Sequence, residues 1–228
     1  MARRILIVGG SRGIGAAAAR HLEGRGDDVL AVSRSAAKAG TWIAADVATG
    51  AGLDAVVKAV GDGPLDALLY LGGVWEEGAF TEAYRFPTST EAETRRLLDV
   101  NLMAPIELVR RLAPRLALSP NPQVLAIGAL SGQPGRATSE VANTAAKAGL
   151  LGAFAAMRLA LRPLGIGFCV LNPGNVATDE VLDDIEAGRF GAQVPIPMTD
   201  LLAAIDCALA MSPASMIEEL SLAQRRPG

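Results

Sequence analysis

Val8-Gly9-Gly10-Ser11-Arg12-Gly13-Ile14-Gly15 follows a short β-branched run and opens an alanine-rich helical run. Glycines at this spacing let a pyrophosphate approach the backbone, and the start of the next helix presents unpaired N–H groups to it. The strand before, the helix after and the βαβ length around the loop point to dinucleotide binding rather than to a tight turn alone. Gly9, Ser11, Arg12, Gly13 and Ile14 are the candidate contacts. The end of the second strand selects the dinucleotide. NAD-specific sites place a carboxylate there for the ribose 2′-hydroxyl, whereas this chain has Ser33-Arg34. Arg12 adds a second cation with no acid competing, so the expected cofactor is NADP(H), with its 2′-phosphate on Ser33 and Arg34.

Other chemistries find less support. The single histidine, His21, lies in a helical run with no ligand partner at i+4, so no metal site is expected. Cys169 and Cys207 sit in apolar stretches outside any metal or redox spacing and read as core thiols. A net charge of −3 offers no basic footprint for nucleic acid or an anionic membrane. The apolar run Ile5 to Val8 is too short for a signal-peptide core, and Ala148 to Met157 is far below membrane-spanning length. A cytoplasmic protein acting on a small molecule is expected.

The elements that must carry the loop alternate along the 228 residues. Strands are predicted at Ile5 to Val8, Val29 to Val32, Trp42 to Ala44, Ala67 to Leu71, Val124 to Ile127, Gly167 to Leu171 and Ile217 to Leu222. Helical spacing covers Ser11 to Glu23, Leu53 to Val60, Thr94 to Leu118 with bends at Pro105 and Pro114, Ala142 to Leu161, and Asp200 to Met211. This order predicts an α/β fold: a Rossmann-like doubly wound parallel sheet of about seven strands with helices on both faces, in a single domain spanning 1–228. Glu76 to Thr90 and Thr178 to Pro197 are long, polar and turn-rich, and are expected to emerge at carboxyl ends of strands, where such sheets bind ligands.

Further motifs resemble the short-chain dehydrogenase/reductase family over essentially the whole chain. Val8 to Gly15 is similar to the family's T-G-x-x-x-G-x-G, with valine for threonine. Asp46-Val47 resembles the pair beside the adenine, and Leu71-Gly72-Gly73 the end of the N-N-A-G strand. Asn101 matches the active-site asparagine. Asn172-Pro173-Gly174-Asn175-Val176-Ala177-Thr178 resembles the N-P-G-x-V-x-T segment that borders the nicotinamide. The resemblance implies that Asp46, Val47, Gly72, Gly73, Lys147, Pro173, Gly174, Val176 and Thr178 also contact the cofactor. It implies a substrate lid at 178–197 whose apolar members suit a fairly hydrophobic ligand. It further implies a homodimer or homotetramer formed through the helices at 94–118 and 142–161.

The family's Y-x-x-x-K falls on Asn143-Thr144-Ala145-Ala146-Lys147, so the lysine is present and the phenol is replaced by a carboxamide. An ungapped match of I-S-S-x-x-G to Ile127 to Gly132 puts Ala129 at the family serine, with Ser131 two positions away. Three readings follow. One is an NADP(H)-dependent reductase of a carbonyl or imine, with proton delivery completed by Lys147, Asn101, water or a hydroxyl of Ser131 or Ser139; an iminium substrate needs least help, since hydride addition neutralises it. Another is a non-redox reaction such as a cyclisation or dehydration. The third is a catalytically inactive dinucleotide binder acting as a regulatory subunit or sensor. The candidate catalytic set is Lys147, Asn101, Ser131 and Asn143. Tyr70 and Tyr84 are read as core packing and loop anchoring rather than as substitute acids.

Overall fold

The computed structural model describes residues 2–190 and 193–225. Seven strands form one sheet: β1 (Arg4–Val8), β2 (Asp28–Ser33), β3 (Thr41–Ala44), β4 (Ala67–Tyr70), β5 (Gln123–Ile127), β6 (Gly167–Pro173) and β7 (Glu219–Leu222). Their order is β3-β2-β1-β4-β5-β6-β7, and every pairing is parallel. The helices are α1 (Gly13–Gly24), α2 (Gly50–Val60), α3 (Glu91–Leu98), α4 (Ala104–Leu116), α5 (Val141–Ala160), α6 (Asp179–Glu186) and α7 (Met198–Leu209). This is the single-domain, doubly wound Rossmann-like architecture that the alternation of patterns predicts.

Strand side chains alternate between two cores. Ile5, Ile7, Leu69 and Leu125 pack with α1 and α7, whereas Leu6, Val8, Leu68 and Val124 pack with α2, α4 and α5. Both faces of the sheet are covered, so the strands read as continuous apolar runs. Among the described residues, no helix is long and apolar enough to cross a membrane.

Strand order reverses direction at β1, which lies between β2 and β4 and opens the crevice where ligands of such sheets sit. The backbones crowd there. A Cβ on Gly9, whose φ is +92°, would lie 2.6 Å from Gly72 Cα, and one on Gly15 would lie 2.1 Å from the Gly9 carbonyl oxygen. Only glycine fits either place.

Three expectations change. The helix expected over 94–118 starts earlier and is broken by a π turn at Asp99–Met103, which joins α3 to α4. Pro105 has no N–H to donate to the Asn101 carbonyl, and the Ala104 N–H reaches back five residues to Asp99. Pro114 is accommodated inside α4. The segment 178–197 contains a helix: Thr178 accepts from the Val181 N–H and Asp179 and Glu180 occupy the first turn of α6. Residues 191 and 192 of the expected lid lie outside the described residues. Cys169 is buried as expected, but Cys207 is exposed, because α7 turns Leu201, Ala204, Ile205 and Ala208 inward and the thiol falls off that stripe. His21 sits between elements, its Nε2 2.9 Å from Asp206 Oδ2 on α7.

The end of β5 is packed just as tightly as the crevice. A Cβ on Gly128 would lie 2.0 Å from Asn172 Oδ1 and 2.8 Å from Val170 Cγ1, both on β6. Asn172 is fully buried and has no room to retreat. Gly128→Ala is therefore expected to lower stability by about 1–3 kcal/mol. Chemical denaturation of the two proteins checks this.

Candidate functional site

The glycine loop leaves the start of α1 bare. Arg12 makes no side-chain cap and no acid stands in the first turn, whereas Thr49, Thr90 and Thr178 cap α2, α3 and α6. The α1 N–H groups, the glycine cradle and the exposed Arg34 at the end of β2 together fit a phosphate-rich dinucleotide. Ser11 and Ile14 are half-buried along the loop. Ser33 is buried, and its hydroxyl donates to the Ser35 carbonyl at 2.7 Å. Arg12 pairs with Glu180 Oε1 at 3.2 Å, and the other Glu180 oxygen would lie 3.6 Å from a Cβ on Gly13. A carboxylate from α6 thus lies over the glycine loop and pairs with Arg12, for which the sequence predicts no competing acid.

Asp46 caps its own turn by accepting from the Ala48 N–H at 3.1 Å, and pairs with Arg96 of α3 at 3.0 Å. Burial works to raise the Asp46 carboxyl, but the Arg96 hydrogen bond, the Ala48 N–H and the charges of Arg96 and Arg34 outweigh it and hold it below its ordinary value. Val47 is half-buried against the core beneath.

Lys147 lies at the centre of the carboxyl edge with only 4% of its surface exposed. Among the described residues its one hydrogen bond is from Nζ to the Ile127 carbonyl at 2.7 Å. The turn Leu130–Gly132 presses on it from below: a Cβ on Gly132 would lie 2.7 Å from the Lys147 carbonyl carbon. Gly73 stands alongside, since a Cβ there would lie 3.5 Å from Asn101 Oδ1 and 4.0 Å from Lys147 Nζ. Asn101 belongs to the π turn and grips the chain after β4. Its Oδ1 accepts from the Val74 N–H at 3.0 Å, and its Nδ2 donates to the Val74 carbonyl at 2.8 Å.

Asn143 is one helical turn before Lys147 on the same side of α5 and is fully buried. Ser131 faces elsewhere. It lines a hollow with Gln133, Thr144 and Ala148, the last two on a flank of α5 turned about 100° from Asn143 and Lys147. Tyr70 donates its hydroxyl to the Val100 carbonyl, which the π turn leaves free, and burial pushes its phenol pKa up, away from any role as an acid near neutrality. Pro173 ends β6, Gly174 donates its N–H to the Leu222 carbonyl at 2.8 Å, Val176 is buried, and Thr178 caps α6.

Sequence spacing gave no signal for the residues that start α5. Its own N-cap residue, Glu140, makes no side-chain cap. Two residues of the 74–90 loop do so instead: Glu76 Oε1 accepts from the Asn143 N–H at 2.9 Å, and the Tyr84 hydroxyl accepts from the Val141 N–H at 3.3 Å. Glu140 returns the contact by accepting from the Phe80 N–H at 2.9 Å. Glu76 is 5% exposed and borders an apolar cavity of about 120 Å³ with Tyr84, Leu98 and Ala142. Glu76 Oε2 and both amide atoms of Asn143 and Asn172 are buried without a hydrogen-bond partner among the described residues. Buried polar atoms are normally satisfied, so these atoms at the carboxyl edge make it the candidate site.

Comparison with known proteins supplies the frame for this geometry. The chain matches the short chain dehydrogenase family over residues 3–186. It belongs to that family. It is 33% identical to the ketoacyl reductase HetN of Nostoc sp. over 190 residues, 77% of this chain and 64% of that one. It is 32% identical to a cyclic-di-GMP-binding biofilm dispersal mediator protein of Escherichia coli over 188 residues, 78% of this chain and 74% of the other. A short chain dehydrogenase from Burkholderia cenocepacia, solved in complex with NADP, superposes with a TM-score of 0.81 at 24% identity, covering 97% of this chain and 96% of that one. Membership in the short chain dehydrogenases supports an oxidoreductase.

Within this family member, the buried lysine has a titration of its own. Burial disfavours the ammonium and lowers the Lys147 pKa to about 8. From there up to the ordinary lysine range the folded chain binds fewer protons than the unfolded chain, so the Lys147 contribution makes stability rise with pH. A titration of lysine side chains followed by NMR should show one midpoint near 8 that disappears in Lys147→Met. A Lys147 midpoint in the ordinary lysine range contradicts the burial argument.

Proposed function

We propose that the chain is an NADP(H)-dependent oxidoreductase that reduces a carbonyl or imine of a small, fairly hydrophobic substrate with a non-standard proton donor. One observation carries the reading: Lys147 is kept as a buried cation with, among the described residues, a single carbonyl partner, beside Gly73 and Asn101 at the carboxyl edge of the sheet. Burying an ammonium costs several kcal/mol unless further hydrogen bonds satisfy it, and ribose hydroxyls would accept from its remaining N–H groups.

Gly9, Ser11, Gly13 and Ile14 would hold the pyrophosphate, Arg12, Ser33 and Arg34 the 2′-phosphate, and Asp46 and Val47 the adenine side. Gly72, Gly73, Pro173, Gly174, Val176 and Thr178 would border the nicotinamide. Once bound, the cofactor supplies hydride. Lys147 orients the ribose, and Asn101 fixes the strand end by both polar groups of Val74. Asn143 has no titratable proton, so any proton comes from water or a hydroxyl. Lys147 is the charged group that would orient its source. Exposed Val141, Ala145, Ala148, Gly152, Ala156 and Leu159 leave one face of α5 free of charge, which suits packing against a second copy in a homodimer or homotetramer.

A second reading is an inactive or non-redox NADP(H) binder. The amide at residue 143 favours it, and the E. coli relative bears the name of a binding protein. NADPH absorbance under a panel of carbonyls and imines separates the two. Turnover that Lys147→Ala abolishes supports the reductase; a raised melting temperature with NADPH and a silent panel supports the binder. The cofactor assignment is tested independently: Arg34→Ala should weaken NADPH by about tenfold or more while leaving NADH nearly unchanged, and equal losses would refute the 2′-phosphate role.

A further inference from the structure

Two loops meet above the carboxyl edge through three aromatic rings. Trp75 follows the Val74 that Asn101 grips, Phe80 lies in the same loop, and Phe190 follows α6. The Trp75 and Phe80 centroids are 4.8 Å apart at 71°, and those of Phe80 and Phe190 are 5.9 Å apart at 84°. Each edge-to-face contact covers one ring face, and Trp75 and Phe80, 50% and 40% exposed, keep other ring surface open. Phe80 has a φ of +64°, a value no other non-glycine among the described residues adopts. A bulky side chain in that region is strained, and the Glu140 carboxylate on the Phe80 N–H holds it there. The ring is thus maintained in the open against its backbone preference and against apolar burial.

The same two segments are strongly acidic. Residues 74–90 carry three acids against one arginine, and 178–190 carry five against one. Together they amount to −6 in a chain whose net charge is −3, so the rest of the protein is positive by 3. Two segments of this net charge, joined through exposed rings, draw cations by long-range attraction, and the rings hold them on contact. Glu76, the residue after Trp75, is buried, with Oε2 unpartnered among the described residues and Oε1 accepting from the Asn143 N–H in the first turn of α5, one turn before Lys147.

We propose that the substrate of this site is a cation, a protonated imine with an apolar body, received by the faces of Trp75, Phe80 and Phe190 with Glu76 as its counter-charge. This rests on the reductase reading and names its substrate class. The chemistry agrees with the amide at position 143. Hydride addition to C=N⁺ forms one C–H bond, returns the π pair to nitrogen and cancels the charge, giving a neutral amine with no proton delivered in that step; the reduced nicotinamide is the reductant. Addition to a ketone instead creates an alkoxide, which needs a proton that Asn143 does not have.

The test separates binding from turnover. Calorimetry on the full chain, with and without NADP⁺, compares benzyltrimethylammonium with benzyl alcohol and benzoate. The cation should bind about tenfold more tightly than either, and Trp75→Ala and Glu76→Gln should each cost several-fold of that affinity. Trp75 is half exposed and glutamine keeps an acceptor for the Asn143 N–H, so both variants should melt like the parent. Equal affinity for the three probes, or cation binding unchanged in both variants, overturns the proposal. NADPH consumption is then followed with 3,4-dihydroisoquinoline and with 1-tetralone. Faster reduction of the imine supports the proposal. Faster reduction of the ketone overturns it while leaving the reductase reading intact. Cation selectivity with no NADPH consumption supports the cation site and removes the reductase reading instead.

Discussion

A charged amine held away from water is the constraint around which the carboxyl edge is arranged. The Ile127 carbonyl meets one N–H of Lys147, which requires α5 to sit close against the end of β5. The closeness is achieved by glycine at position 132. It also requires a fixed start for α5, and the helix does not supply that itself. Glu76 and Tyr84 reach in from the loop after β4, and Asn101 holds the root of that loop through Val74. The lysine, the π turn and the loop above the crevice therefore form one connected structure.

Much of this was legible in the sequence because it is local. The glycine loop, the β-branched runs and the helical spacing each declare themselves within about ten residues, and the parallel sheet follows from their alternation. What stayed hidden depends on distance or on helix phase. Glu76 caps a helix 67 residues away. The π turn is a matter of which carbonyl Ala104 chooses, and no composition records that choice. Cys207 lies in an apolar run, but its angle on α7 puts it outside. The helix α6 did leave a local mark, Thr178-Asp179-Glu180, obscured by the acids and glycines around it.

Some departures from the family pattern lie beside the lysine, and others, such as valine for threonine at Val8, lie on the glycine loop. Asn143 and Ala129 occupy positions where the resemblance calls for the family's tyrosine and serine, and Gly128, just before Ala129, also stands where the motif has a serine. At Gly128 the space a side chain would use is filled by the buried amide of Asn172. The cofactor side keeps its lysine, its glycines and its bordering segment.

The turn at Asp99–Met103 fixes the phase between two helices as well as a bend. Leu97 of α3 faces Ala142 and Ala146 of α5, while Leu108, Val109 and Leu112 of α4 face the sheet. One residue fewer in the turn would restore regular α-helical bonding and rotate one helix by about 100° against the other. It would expose one of these apolar faces and swing the Asn101 amide away from Val74. Side chains in this stretch have some freedom to change, but its count of residues does not.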